Sequence, residues 1–225
     1  MKTRILTAVV ALSWSTSSLA LRSRPTFSRI MLSSSSSASP SVEKHVLVPI
    51  GNGSEEIESV TIIDTLVRGG AKVTVASVAD SENVVMSRGV KISADVLIED
   101  CVDKKWDMIA LPGGMPGAEH LRDSPALIAL LEKHRSENVP IAAMCAAPAV
   151  VLASKGFLQG KTATCYPADK FRSMLPNASD QEVVVDGNII TSQGPGNSLK
   201  FALKLTEVLF GSDRCKQIGK GMLVM

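Results

Sequence analysis

The chain has 225 residues, 45% of them hydrophobic and 20% charged, which suits a globular protein with one full core or two small ones. Its formal charge of +2 belongs to the first 42 residues: without Lys2, Arg4, Arg22, Arg24 and Arg29, 19 basic residues face 22 acidic ones, a balance of −3. The body carries no basic cluster interleaved with aromatics, so nucleic-acid binding is not expected.

Met1 to Arg4 is a charged start, Ile5 to Trp14 is apolar, and Ser18-Leu-Ala20 reads as a small-residue cleavage site. The apolar run is too short to span a bilayer comfortably, so no membrane anchor is expected. Leu21 to Arg29, the serine run Ser33 to Ser37 and Pro40 are rich in Arg and Ser and free of acids, and resemble an organelle transit peptide. Together the two parts resemble the leader of proteins sent to plastids bounded by extra membranes; secretion and a mitochondrial leader are the alternatives. Residues 1–42 are read as a leader and residues 43–225 as the folded domain.

His45 to Ile50 predicts a buried strand, ended by Gly51-Asn-Gly53. Ser54 is the expected cap of a helix with Glu55 and Glu56 in its first turn, Ile57, Val60, Ile63 and Val67 at helical spacing, and Gly69-Gly70 at its end. Lys72 to Val78 is the next strand, completing a βαβ unit and implying a parallel sheet. Residues 83–98, around Arg88-Gly89, read as a hairpin excursion.

Trp106 to Leu111 is a third buried strand, followed by Pro112-Gly113-Gly114. Ser124 caps a helix to Ser136 with Pro125 at its first position. Pro140 to Met144 is a strand leading to Cys145, and Ala147 to Ala153 a helix leaving it. Lys161 to Cys165, Glu182 to Val185 and Asn188 to Thr191 predict further strands, with Asp186-Gly187 turning between the last two. Asn197 to Phe210 is a helix that Gly211 ends. The alternation predicts one doubly wound, mostly parallel α/β domain.

A thiol at a strand-to-helix turn points out of the sheet, and the new helix offers it free N–H groups and a positive dipole end that favour a thiolate. Cys145 is therefore a candidate nucleophile; its alternative is a small core residue. Ligands of such sheets bind beyond the carboxyl ends of the strands, where strand order reverses. Three segments end strands there: Gly51 to Glu58, Pro112 to Gly114, and Cys145-Ala146. Glu55 and Glu56 are explained as acids complementing the helix dipole, whereas Glu58 lies one turn in among apolar neighbours. Beside a thiol its pKa would rise, and a protonated Glu58 would donate to the thiolate and shuttle a proton; the alternative is a solvated glutamate.

Pro112-Gly113-Gly114 leaves amide N–H groups free for a developing oxyanion, or is simply a strand-ending turn. Its spacing matches neither GxGxxG nor a Walker motif. Ser192-Gln-Gly194-Pro195-Gly196 is read as a loop before a helix or as a pocket wall. Cys101, Cys145, Cys165 and Cys215 show no metal-ligand spacing, so no zinc site is expected, and the body needs no disulfide. His120 and His134 read as solvated side chains, and no histidine follows Cys145 to make a local Cys-His pair.

Gly53-Ser-Glu-Glu-Ile-Glu58, Leu111-Pro-Gly-Gly114, Ala142-Ala-Met-Cys145-Ala-Ala-Pro148 and Thr191-Ser-Gln-Gly-Pro-Gly196 in this order resemble the ThiJ/PfpI superfamily, in the branch of the parkinsonism-associated deglycase and its bacterial relatives. The resemblance runs through nearly all of residues 44–225. It implies a flavodoxin-like homodimer in which Cys145 is the nucleophile and Glu58 its acidic partner. It further implies that the Gly114 and Ala146 amides face the thiol, and that Arg68 and Arg88 lie near the dimer interface. The implied activity needs no cofactor and acts on methylglyoxal, glyoxal or their early adducts with proteins and nucleotides; oxidant sensing and chaperoning through the same cysteine are the alternative. Gly113, Tyr166, Gly194 and Pro195 are the further pocket candidates. Where human-type members have a histidine before the proline, this chain reads Cys165-Tyr166-Pro167. A tyrosine donates a hydrogen bond but is no base at neutral pH, which leaves proton transfer to Glu58. Cys165 reads as a strand residue, with a redox partner as its alternative.

Overall fold

The computed structural model describes residues 43–225, so the leader and its destination lie outside the described residues. β1 (Lys44–Ile50) buries Val46 to Ile50 in succession, as a strand covered on both faces must. It pairs in parallel with β2 (Ala71–Ser77) on one side and with β6 (Met108–Leu111) on the other. β5 (Val96–Leu97) extends the sheet beyond β2. β7 (Ile141–Met144) and β9 (Ile189–Ser192) follow β6 in parallel, and β8 (Val183–Asp186) closes the edge antiparallel to β9. The order β5-β2-β1-β6-β7-β9-β8 reverses direction between β1 and β6. β3 (Asn83–Val85) and β4 (Lys91–Ser93) form the expected hairpin as a separate two-stranded sheet.

Strand alternation divides the core. Val46, Val48, Ile50, Met108 and Ala110 pack with Ile62 and Leu66 of α1 (Glu56–Gly69) and with Phe201 and Leu205 of α5 (Ser198–Phe210). Leu47, Ile109, Leu111, Ile141 and Ala143 face the other way, onto Leu121 of α2 (Gly117–Asp123), Leu127 and Leu131 of α3 (Pro125–Glu137), and Val151 and Leu152. Helices thus cover both faces, the expected doubly wound arrangement. No helix among the described residues is long and apolar enough to cross a membrane.

Several local readings change. The cap of α1 is Glu55, whose Oε2 accepts from the Glu58 N–H at 2.7 Å; Ser54 Oγ instead accepts from the Gly51 N–H at 3.0 Å and braces the turn before the helix. The helix expected after Cys145 is present and takes π-helical form over Pro148–Ala153. Lys161 to Cys165 forms no strand and makes only a single bridge from Ala163 to Ala178, because β9 already takes the place beside β7. α2, α4 (Asp169–Arg172) and α6 (Ser212–Gly221) add to the elements that the residue pattern predicts. From α6, Arg214 donates through Nε to Gly69 O and through Nη2 to Arg68 O, both at 2.9 Å, satisfying carbonyls at the end of α1. His134 is buried rather than solvated.

Candidate active site

The carboxyl ends of β1, β6 and β7 converge where strand order reverses. Cys145 follows β7 directly and has φ +59, a left-handed conformation that costs a non-glycine residue about 1–3 kcal/mol. Two backbone bonds hold it: the Cys145 N–H donates to Ser192 O at 3.0 Å, and the Tyr166 N–H donates to Cys145 O at 2.7 Å. The turn lifts the thiol off the sheet as the sequence predicts, but leaves it 9% exposed.

Gly113 and Gly114 pass against this elbow. A Cβ at Gly113 would lie 2.6 Å from the Cys145 Cβ and 2.9 Å from Ala146 N, so this approach needs glycine. Gly114 has φ +88 and lies against Gly53 and Glu55. The Gly113 N–H donates to Glu58 Oε2 at 2.7 Å, tying β6's loop to the first turn of α1.

Glu58 is fully buried, and among the described residues its second oxygen, Oε1, makes no hydrogen bond of good geometry. Burial pushes its carboxyl up to about 7, against the pull of the Gly113 N–H and the Cys145 thiol, while the charge of Glu55 raises it further. The thiol is pushed up by burial first and then by ionised Glu58, and pulled down by the Gly114 and Ala146 amides. The repulsion exists only while Glu58 is ionised. When Glu58 holds a proton it vanishes, and the carboxyl O–H becomes a donor to sulfur. One negative charge shared between the two groups is the state this geometry favours.

In front of Cys145 lies a cavity of about 420 Å³ whose walls include Gly114, Ala146, Arg88, Tyr166 and Pro195. Gly113 and Glu58 lie behind it rather than on its walls. Gly194 is outside it as well; a Cβ added there would lie 3.4 Å from the Tyr166 ring. Arg68 is remote: it is exposed and paired with Asp64 at 2.7 Å. Tyr166 sits edge-on to Phe171, with centroids 6.3 Å apart. Cys165 is a fully buried core residue whose Sγ donates to Tyr166 O at 3.4 Å, and burial pushes its thiol up to about 11. All four cysteines are free.

Sequence reasoning missed five wall residues: Glu55, Ser87, Met115, Lys170 and Phe171. Glu55 is the carboxylate that reaches the cavity, and its Oε2 caps α1, so the helix dipole alone does not account for it. Lys170 and Phe171 come from the short α4, for which no periodicity gave warning. Among the described residues no group of His, Cys, Asp and Glu is placed to hold a metal ion.

The model of the DJ-1/PfpI family matches residues 44–208. The chain belongs to the DJ-1/PfpI family. The structure of oxidized DJ-1 from Toxoplasma gondii is 50% identical and superposes with a TM-score of 0.78, covering 80% of this chain and 98% of that one. Protein DJ-1 homolog B of Arabidopsis thaliana is 45% identical over 179 residues, 80% of this chain but 41% of that protein. The chain thus spans less than half the length of the Arabidopsis relatives, DJ-1 homolog A being covered to 47%. Glutathione-independent glyoxalase DJR-1.2 of Caenorhabditis elegans is 36% identical over 166 residues, covering 74% of this chain and 88% of that protein. The DJ-1/PfpI fold thus accounts for the mostly parallel sheet with helices on both faces.

Proposed function

We propose that this DJ-1/PfpI protein is a cofactor-independent glyoxalase and deglycase acting on methylglyoxal, glyoxal or their early glycation adducts. The observation that carries the reading is Cys145 in a left-handed elbow, with a buried acid behind it and an open cavity in front. The relative named as a glutathione-independent glyoxalase supports it.

Sulfur adds to the aldehyde carbon of methylglyoxal. The carbonyl π pair becomes an oxyanion beside the Gly114 and Ala146 amides, and the proton that Cys145 shared with Glu58 passes to that oxygen, giving a hemithioacetal. A base then takes the proton from the same carbon, forming an enediolate, and returns it to the neighbouring carbon while the hydroxyl proton on the first carbon passes to the oxygen of the second, giving a lactoyl thioester. Water breaks the C–S bond, releasing lactate and the thiol. Glu58 exchanges the proton with sulfur. Because Glu58 is sealed behind Cys145, Glu55 on the cavity wall is the carboxylate placed to carry the proton between carbons. Tyr166 lines the same cavity as a hydrogen-bond donor. Lactate formation without glutathione tests the reading, and a Cys145→Ser protein that works at the wild-type rate would defeat it.

Oxidant sensing is the second reading, favoured by the unpartnered Glu58 Oε1 beside the sulfur, which can accept a hydrogen bond from a sulfenic or sulfinic acid. A homodimer fits one exposed apolar strip: Ile57, Val60 and Val67 along α1, with Val85 and Val90 on the hairpin and Arg68 and Arg88 beside them. Delivery to a plastid remains the reading of the two-part leader.

A further inference from the structure

A second cavity opens at the amino ends of the strands, the opposite end of the sheet from Cys145. It holds about 550 Å³ between His45 at the start of β1, the segment Lys104 to Asp107 ahead of β6, the last turns of α3, and Val139. That volume is within the range of metabolite sites.

His134 on its wall is 3% exposed. Its Nδ1 lies 3.2 Å from Pro140 O, and a carbonyl only accepts, so Nδ1 carries the hydrogen. Burial lowers the ring's pKa and keeps it neutral, which leaves Nε2 as an acceptor. Nε2 has no partner. It is also absent from the polar atoms sealed without one, which among the described residues are Glu58 Oε1, Thr65 Oγ1 and Thr164 Oγ1. Its access is through the cavity.

The charges around it are lopsided. Lys104, Lys105 and Lys133 line the cavity, and none forms an ion pair among the described residues. Asp107 is already engaged, by Lys44 Nζ and by the His45 N–H, each at 2.8 Å. Glu137 is the one other carboxylate on the wall. Glu137 is likewise unpaired among the described residues, so the unmet groups are three ammoniums, one carboxylate and one hydrogen-bond acceptor, an excess of positive charge, and no three-ligand metal cluster lies there among the described residues. A carboxylate alone would meet the lysines and leave Nε2 bare. A phosphate that brings an O–H meets both.

We propose that this cavity binds a phosphate group together with an O–H donor, as inorganic hydrogen phosphate or as a sugar phosphate, with Lys104, Lys105 and Lys133 taking the charge and His134 Nε2 accepting from the hydroxyl. Sulfate is the informative control, because at neutral pH it has the charge and no O–H.

The test follows the His134 ring nitrogens and the Trp106 indole N–H by NMR as the purified protein is titrated with inorganic phosphate, ribose 5-phosphate and sulfate at fixed ionic strength. Saturable shifts are expected for at least one phosphate, with sulfate about tenfold weaker or more, the scale of one hydrogen bond to a charged ligand. Tighter binding of ribose 5-phosphate points to a sugar phosphate as the ligand, and equal binding to free phosphate. His134→Phe should bring phosphate down to the sulfate level. Lys104→Glu with Lys133→Glu, both at exposed positions, should abolish binding without touching the core. Sulfate binding as tightly as phosphate, no saturable shift, or full phosphate affinity in the double lysine variant would each overturn the proposal. None of these readouts depends on glyoxalase activity.

Discussion

A Cβ placed on Gly113 would lie 2.6 Å from the Cβ of Cys145, so the loop after β6 and the elbow after β7 share one steric constraint. The same glycine's N–H holds Glu58 at 2.7 Å. Nucleophile, acid and oxyanion amides are therefore positioned by one contact. Gly113→Ala should force the loop and the elbow apart, at a cost of about 1–3 kcal/mol for overpacking. The expected outcome is a lowered Tm with lactate formation lost. A variant with wild-type turnover would show that the close approach is not needed.

Glu55 and Glu58 have separable roles. Glu55→Gln keeps a side-chain oxygen to accept from the Glu58 N–H, so the cap of α1 survives while the base on the cavity wall is removed. Lactate formation should fall about 100-fold or more, the usual contribution of a general base. Alkylation of Cys145 by iodoacetamide should be little changed. Unimpaired turnover in this variant would return the proton transfer to Glu58.

Burial of Glu58 gives stability a definite pH dependence. Its folded pKa is raised from 4.5 to about 7, so between those values the native state binds the extra proton and the unfolded state does not. Stability from this group is fully present below about 4.5 and is lost as pH rises through about 7, on the order of 3 kcal/mol in all. Glu58→Gln removes that loss. Chemical denaturation should find the variant more stable than wild type at pH about 8, with the advantage shrinking toward pH about 4.5. An advantage that instead grows on acidification would contradict the buried, proton-holding Glu58.

The fold was legible where residue pattern and burial agree. The apolar runs of β1, β6 and β7, the Ser124-Pro125 start of α3 and the Asp186-Gly187 turn all carried their own local cause. Cys145 was conspicuous because a thiol ended a buried run before a helix. The failures were long-range. Nothing local separates Ser54 from Glu55 as a cap, since either can accept from the first turn; the choice follows from Ser54 being used by Gly51. Lys161 to Cys165 has strand composition, but β9 occupies the position beside β7. His134 was readable in retrospect: it falls seven residues after Leu127, on the stripe with Leu130 and Leu131 that faces the core.

The apolar strip on α1 makes self-association measurable. Val60 is 50% exposed in the isolated chain, so Val60→Asp should not disturb the fold. Sedimentation should show a dimer for wild type and a monomer for the variant, with the same Tm per chain at low concentration. A monomeric wild type would remove the dimer from the account.

The most direct measurement is lactate production from methylglyoxal by the purified protein without glutathione, beside Cys145→Ser. The account predicts lactate from wild type and none above background from the variant. Lactate formed equally by both, or by neither while both are folded, would contradict a cysteine-dependent glyoxalase.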